Sequence, residues 1–279
     1  MEIFKEIKPL KAFLKEKTPA ATIGLVPTMG ALHHGHLSLI EASKRENALT
    51  VSTIFVNPAQ FNNPEDLKKY PRTLERDCEM LRQAGCQVVF APEVTTLYEH
   101  EPTVTFDFGT LDKILEGKFR PGHFSGVALV VSKLFHIVNP TTAYFGQKDF
   151  QQFKIIEKLV EELKFDLQLK MMPIIREPDG LALSSRNKRL SEPERKKAAL
   201  LFRSLTEAKK LLIRGEKIFN VKEIVNQNYK SVDGVKLEYF ELANIENLSP
   251  AETVTNQTIL LMAAYVGEVR LIDNLLMEE

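Results

Sequence analysis

Short apolar runs alternate with helical patterns along the first two thirds of this chain, and that alternation limits the folds open to it. Runs at 22–26, 49–56, 87–91, 103–108, 142–145 and 166–175 read as strands. Residues 74–84, 125–138 and 149–163 carry helical spacing between them. The strands are too apolar to leave one face in water, so the pattern predicts a Rossmann-like, mostly parallel sheet with helices on both faces. Ligands bind such a sheet beyond the carboxyl ends of its strands. After residue 175 come a loop, a charged helical region at 192–214, a helix near 219–229 and strand-like runs at 235–242, 258–266 and 268–272. The chain of 279 residues is therefore expected to form an α/β domain over 1–175 and a smaller α+β domain over 176–279.

Composition narrows the partners. Lys and Arg together number 37 and so do Asp and Glu, which leaves no basic excess to attract nucleic acid. The first residues lack the basic start and apolar run of a signal peptide, and no apolar stretch approaches the roughly eighteen residues of a membrane span. A cytoplasmic protein with small-molecule substrates is expected. Cys78 and Cys86 are the only cysteines and read as free thiols.

The chemistry concentrates where strands end. In Pro27-Thr28-Met29-Gly30-Ala31-Leu32-His33-His34-Gly35-His36-Leu37 a strand passes through a glycine turn into a helix. The helix start and its free amides favour an anion, and His33 and His36, three apart, can both donate to one polyphosphate. A helix cap and a zinc site are the competing readings of the three histidines, although no nearby Cys or His-Glu-X-X-His pattern completes a zinc shell.

Asn57 and Gln60 follow the strand at 49–56, where Gln60 can offer donor and acceptor to a hydroxy acid. In Phe145-Gly146-Gln147-Lys148-Asp149 a second glycine turn presents a cation for phosphate and a hard oxygen for Mg²⁺, or a helix cap at Asp149. Gln152 comes one helical step later. The segment 180–187, on a linker around 175–187, holds Ser184, Ser185 and Arg186, whose hydroxyls and planar guanidinium suit a polyphosphate. A loop so placed can close over a bound nucleotide. Arg120 and His123, in a basic loop, could meet a carboxylate or phosphate, with Ser125 as the alternative helix cap. Tyr70-Pro71-Arg72-Thr73 and Asp77 mark a possible lid.

Taken in order, these segments resemble the pantoate-β-alanine ligase (pantothenate synthetase) family over nearly the whole chain. Pro-Thr-Met-Gly-Ala-Leu-His-X-Gly-His at 27–36, Phe-Val-Asn-Pro-X-Gln-Phe at 55–61, Tyr-Pro-Arg-Thr at 70–73, Phe-Gly-Gln-Lys-Asp at 145–149 and Asp-Gly-Leu-Ala-Leu-Ser-Ser-Arg-Asn at 179–187 carry the likeness. His-X-Gly-His resembles the HIGH motif of the nucleotidylyl transferase superfamily, and Leu-Ser-Ser-Arg takes the place of its Lys-Met-Ser-Lys-Ser motif. Gln147 stands where many members carry Glu, and Ala59 where many carry Met.

The resemblance implies that ATP and (R)-pantoate give pantoyl adenylate and pyrophosphate, and that β-alanine then gives pantothenate and AMP, a step toward coenzyme A. It implies ATP contacts from Met29, Gly30, Ala31, Leu32, His33, His34, Gly35 and His36, from Gly146, Gln147, Lys148 and Asp149, and from Leu183, Ser184, Ser185 and Arg186. Ile175 is expected to meet the adenine region through its backbone. His36 is implied as the proton-donating catalytic residue, assisted by His33, Lys148, Ser184, Ser185 and Arg186. Gln60 and Gln152 are implied to hold pantoate, Gln60 to lie beside β-alanine, and Asp149 to carry Mg²⁺. A homodimer is also implied. Another HIGH-motif nucleotidyltransferase would stop after nucleotidyl transfer and would not need the two glutamines. A non-catalytic nucleotide-binding module would have no use for groups that stabilise a leaving pyrophosphate.

Overall fold

The computed structural model describes residues 1–17 and 21–277. Contacts divide the chain into two units, Met1–Gly146 with Gln151–Pro173, and Gln147–Phe150 with Ile174–Glu279. The last two residues of the second unit lie outside the described ones.

In the first unit β1 (Glu2–Phe4) and α1 (Ile7–Lys17) precede the central strand β2 (Ile23–Thr28). The chain continues through α2 (His34–Glu46), β3 (Leu49–Ile54), α3 (Pro64–Lys69), α4 (Leu74–Ala84), β4 (Val88–Phe90) and α5 (Val94–Leu97). Then come α6 (Glu116–Phe119), α7 (His123–Val138), β5 (Thr142–Gly146), α8 (Phe150–Leu163) and β6 (Gln168–Met172).

The six strands form one sheet in the order β1-β4-β3-β2-β5-β6, every pair parallel. Side chains alternate between its two faces. Leu25, Val88, Phe90, Ala143 and Phe145 join a core cluster with Leu10 of α1, Val127 and Leu134 of α7, and Ile156 and Leu159 of α8. Their neighbours Val26, Val89 and Tyr144 join a second cluster with Leu39 and Ile40 of α2 and Leu81 of α4. Both faces are therefore covered, as the apolar strands require. From β2 the chain steps outward to β3 and β4 and returns to β5 on the other side of β2, so the topology reverses between β2 and β5. Such a reversal opens a crevice at the strands' carboxyl ends.

One expected strand is absent. Residues 103–108 form no strand and pair with none. Phe106 and Phe108 pack against the first cluster, the Phe106 amide donates to Ser125 Oγ at 2.9 Å, and Val104 stays 59% exposed. Apolar alternation reports one buried face, and here α7 rather than a neighbouring strand supplies the cover. Ser125 is consequently not the helix cap, because α7 opens earlier, at His123, after Gly122 in the left-handed region.

In the second unit α9 (Glu192–Ala198), α10 (Leu200–Ile213) and α11 (Ile218–Lys230) precede an antiparallel sheet of β7 (Val235–Asn244), β8 (Thr258–Val266) and β9 (Val269–Leu276), in that order. Leu201, Leu205 and Ala208 of α10 and Val221, Val225 and Tyr229 of α11 pack onto Leu260, Met262 and Ala264 of β8. No helix among the described residues is long and apolar enough to cross a membrane.

Candidate active site

The loop after β2 is held from both ends. Thr28 Oγ1 donates to the Thr53 carbonyl at 2.6 Å and accepts from the Gly30 amide at 3.2 Å. Gly30 and Ala31 then adopt φ of 79° and 51° in succession, a path that turns the next amides toward one point. Asp77 of α4 occupies that point. Its two oxygens accept from the Ala31 and Leu32 amides at 2.8 Å each, and Thr73 Oγ1 donates to it at 3.1 Å. Two amides of the loop that leads into the helix start are thus already taken, by a residue that the sequence offers only as part of a lid.

His33 precedes the first residue of α2 in extended backbone, and its carbonyl accepts from the His36 amide at 2.9 Å. The two rings lie 4.0 Å apart, centroid to centroid, tilted by 34°. His33 and His36 are both half-buried, whereas His34 between them points to solvent. The helical spacing therefore brings together the two histidines expected to act together and separates the third.

Gln60 closes a short 3-10 turn, Pro58–Gln60, behind β3. It is buried, and its Nε2 lies 3.1 Å from Met29 Sδ, which places the expected pantoate group against the histidine loop. Asn57 Nδ2 donates to Gln60 Oε1 at 3.1 Å and to the Gly126 carbonyl at 3.0 Å. The Tyr98 hydroxyl donates to Asn57 Oδ1 at 2.8 Å, and burial pushes its pKa up to about 12, so it remains a donor. A Cβ on Gly126 would sit 2.1 Å from the Ala59 carbonyl oxygen, so only glycine lets α7 approach this turn.

His123, also buried, has Nδ1 2.8 Å from the Gln60 carbonyl and Nε2 3.0 Å from Arg120 Nη1. A guanidinium only donates, so Nε2 accepts and the ring proton sits on Nδ1, donating to Gln60. Arg120 and His123 thereby brace the expected pantoate glutamine. At the start of α8, buried Gln151 is committed to the Glu116 amide and the Leu111 and Ile114 carbonyls at 2.7 to 2.9 Å. Gln152, in the first turn of α8, is half-buried.

Within the second unit, Lys148 and Asp149 lie in the 3-10 turn Gln147–Asp149. Buried Asn274 of β9 donates to the Gln147 and Lys148 carbonyls at 2.9 and 3.0 Å and accepts from Gln147 Nε2 at 3.1 Å. Lys148 Nζ stands 3.9 Å from the carboxylate of Asp149, whose side chain is half exposed. Among the described residues no three His, Cys, Asp or Glu side chains converge as a metal shell. One open carboxylate does fit Mg²⁺, which typically takes one or two carboxylates, nucleotide phosphates and water.

Arg176 anchors the segment that leads to the serines. It bonds both oxygens of buried Asp273 at 2.7 and 2.9 Å and the Gly180 carbonyl at 3.0 Å, and stacks 4.1 Å over the Phe202 ring. The Leu183 amide donates to the Ile175 carbonyl at 3.0 Å, and Ile175 is 38% exposed. Ser184 caps a 3-10 turn, Ser185–Arg189, by accepting from the Arg186 amide, and Ser185 is buried. Asn274 and the Arg176–Asp273 pair are the residues that sequence reasoning missed, and Asp77 was offered there only as part of a lid. Each acts through a neighbour far away in the chain.

With this geometry in place, comparison with known proteins gives a family. The family model described as pantoate-beta-alanine ligase matches residues 2–276. The chain belongs to that family. Pantothenate synthetase of Thermosipho africanus is 46% identical over 279 residues, covering 99% of this chain and 100% of its own, and that of Aquifex aeolicus is 47% identical over 277 residues, covering 98% and 97%. The crystal structure of the Thermus thermophilus pantothenate synthetase superposes with a TM-score of 0.94 at 39% identity, covering all of both chains. The pantoate-beta-alanine ligase of Francisella tularensis, solved with beta-gamma ATP and beta-alanine, gives 0.83 at 35% identity, covering 100% of this chain and 98% of its own.

Proposed function

We propose that this protein condenses (R)-pantoate with β-alanine at the expense of ATP, releasing AMP and pyrophosphate by way of an enzyme-bound pantoyl adenylate. The observation that carries the reading is the contact of Gln60 with Met29. It sets a buried donor-acceptor group for a small hydroxy acid against the loop that bears His33 and His36.

In the first step a pantoate carboxylate oxygen bonds to the α-phosphorus while the bond to the bridging oxygen of pyrophosphate breaks. Charge moves onto the leaving group, so the protein's work is positioning and neutralisation. His36 donates to the developing charge, with His33, Lys148, Ser184, Ser185 and Arg186 as further donors. Met29 to His36, Gly146 to Asp149, Ile175 and Leu183 to Arg186 contact ATP. Gln60 and Gln152 hold pantoate by its hydroxyl and carboxylate groups. Asp149 would hold Mg²⁺, which supplies charge neutralisation for the polyphosphate when bound.

In the second step the β-alanine amine, held near Gln60, bonds to the acyl carbon, AMP leaves, and the amine loses a proton. The mixed anhydride is already activated, so no nucleophile from the protein is required. The protein works as a cytoplasmic homodimer in this reading, on small molecules and without nucleic acid or membrane. Mass spectrometry after incubation with ATP, Mg²⁺, (R)-pantoate and β-alanine tests it. Pantothenate, AMP and pyrophosphate should appear in equal amounts. ADP and phosphate in their place would indicate an acyl-phosphate ligase instead.

A further inference from the structure

We infer that Asp77 is a positioning residue for the histidine loop: its carboxylate fills the amide concavity at Ala31 and Leu32 and so fixes where α2 begins and where His33 and His36 stand. The role deepens the ligase reading and, as far as catalysis goes, rests on it. Consecutive amides turned toward one point make an anion site. In this chain the anion is supplied from within, by a side chain 1% exposed and 45 residues further on.

A buried carboxylate is costly unless donors surround it. Three do, the two amides at 2.8 Å and Thr73 Oγ1 at 3.1 Å. The fit is close on the loop side too, since a Cβ on Gly30 would come 3.0 Å from Asp77 Oδ2. Two consequences follow for ATP. Its phosphates must be met by groups other than the Ala31 and Leu32 amides, and a change at Asp77 must reach the chemistry through the loop, because the carboxylate's bonds are spent on the protein itself.

The test compares Asp77→Asn with Leu10→Ala, a cavity-forming change in the other core cluster of the same unit. Asn keeps the size of Asp but turns an NH₂ group toward one of the two amides. Amide hydrogen exchange of the folded proteins is followed by NMR, and pantoate-dependent adenylation is measured beside it. In Asp77→Asn the Ala31 and Leu32 amides should exchange at least tenfold faster, and the His33 and His36 ring resonances should shift. Its kcat for adenylation should fall tenfold or more and its KM for ATP rise several-fold, with KM for pantoate within twofold of the parent. Leu10→Ala should lower the melting temperature yet leave those amides, the ring resonances and both KM values unchanged. Unaltered exchange at Ala31 and Leu32 would overturn the positioning role, and so would equal kinetic losses in the two variants. If the parent protein shows no adenylation at all, the ligase reading fails and amide exchange alone decides the role of Asp77.

Discussion

At the scale of single residues, the proposed reading divides the chemistry between His36 and Gln60. With His36 as the proposed donor to the developing charge, His36→Ala should slow single-turnover adenylation by about a hundredfold, the scale for losing one preorganised donor. ATP affinity should change far less, and an unchanged adenylation rate would return His36 to a structural role. Gln60→Ala and Gln152→Ala should each raise KM for pantoate several-fold, at roughly 1 to 3 kcal/mol for polar substrate groups left unpaired. ATP binding measured without pantoate should stay near the parent value, and a matched loss there would move the glutamines to the nucleotide. The histidine pair and Gln60 were legible because each sits within a few residues of a strand end. The partners of Asp77 and His123 were not, since nothing local marks which Asp or His will fold onto a loop 45 or 63 residues away.

Among the elements, turns are fixed by distant side chains. The turn 147–149 owes its shape to Asn274, which ties down two successive carbonyls. Asn274→Ala leaves those carbonyls and Gln147 Nε2 without their bonds. It should lower stability by about 1 to 3 kcal/mol in thermal melts and raise KM for ATP several-fold through Lys148. A melting shift with unchanged KM would confine Asn274 to stability. Periodicity found most of the parallel sheet and the three-stranded sheet, since their strands are long or mostly buried. It missed β1, whose three residues pair only with β4 at the sheet edge, because no period shows in so short a run. It also promoted 103–108 to a strand, because the inward-facing Phe106 and Phe108 mimic one.

Across the whole molecule, core burial governs the two thiols. Cys86 is buried between strands, which pushes its pKa up to about 11, and burial likewise raises Cys78. The thiolate is the reactive form, so at pH 8 neither thiol should react appreciably with a disulfide reagent in the folded protein. Both should react promptly in denaturant. Fast modification of the native state would contradict the packing of the second core cluster, which contains both residues.

The central claim is that activation precedes amide formation, and isotope exchange separates the two. Labelled pyrophosphate is mixed with the protein, ATP, Mg²⁺ and (R)-pantoate, with β-alanine left out. Label should enter ATP at a rate that depends on pantoate, because adenylation reverses on the enzyme. Exchange that appears only once β-alanine is added would contradict an enzyme-bound pantoyl adenylate formed before the amine enters, and with it the order of steps proposed here.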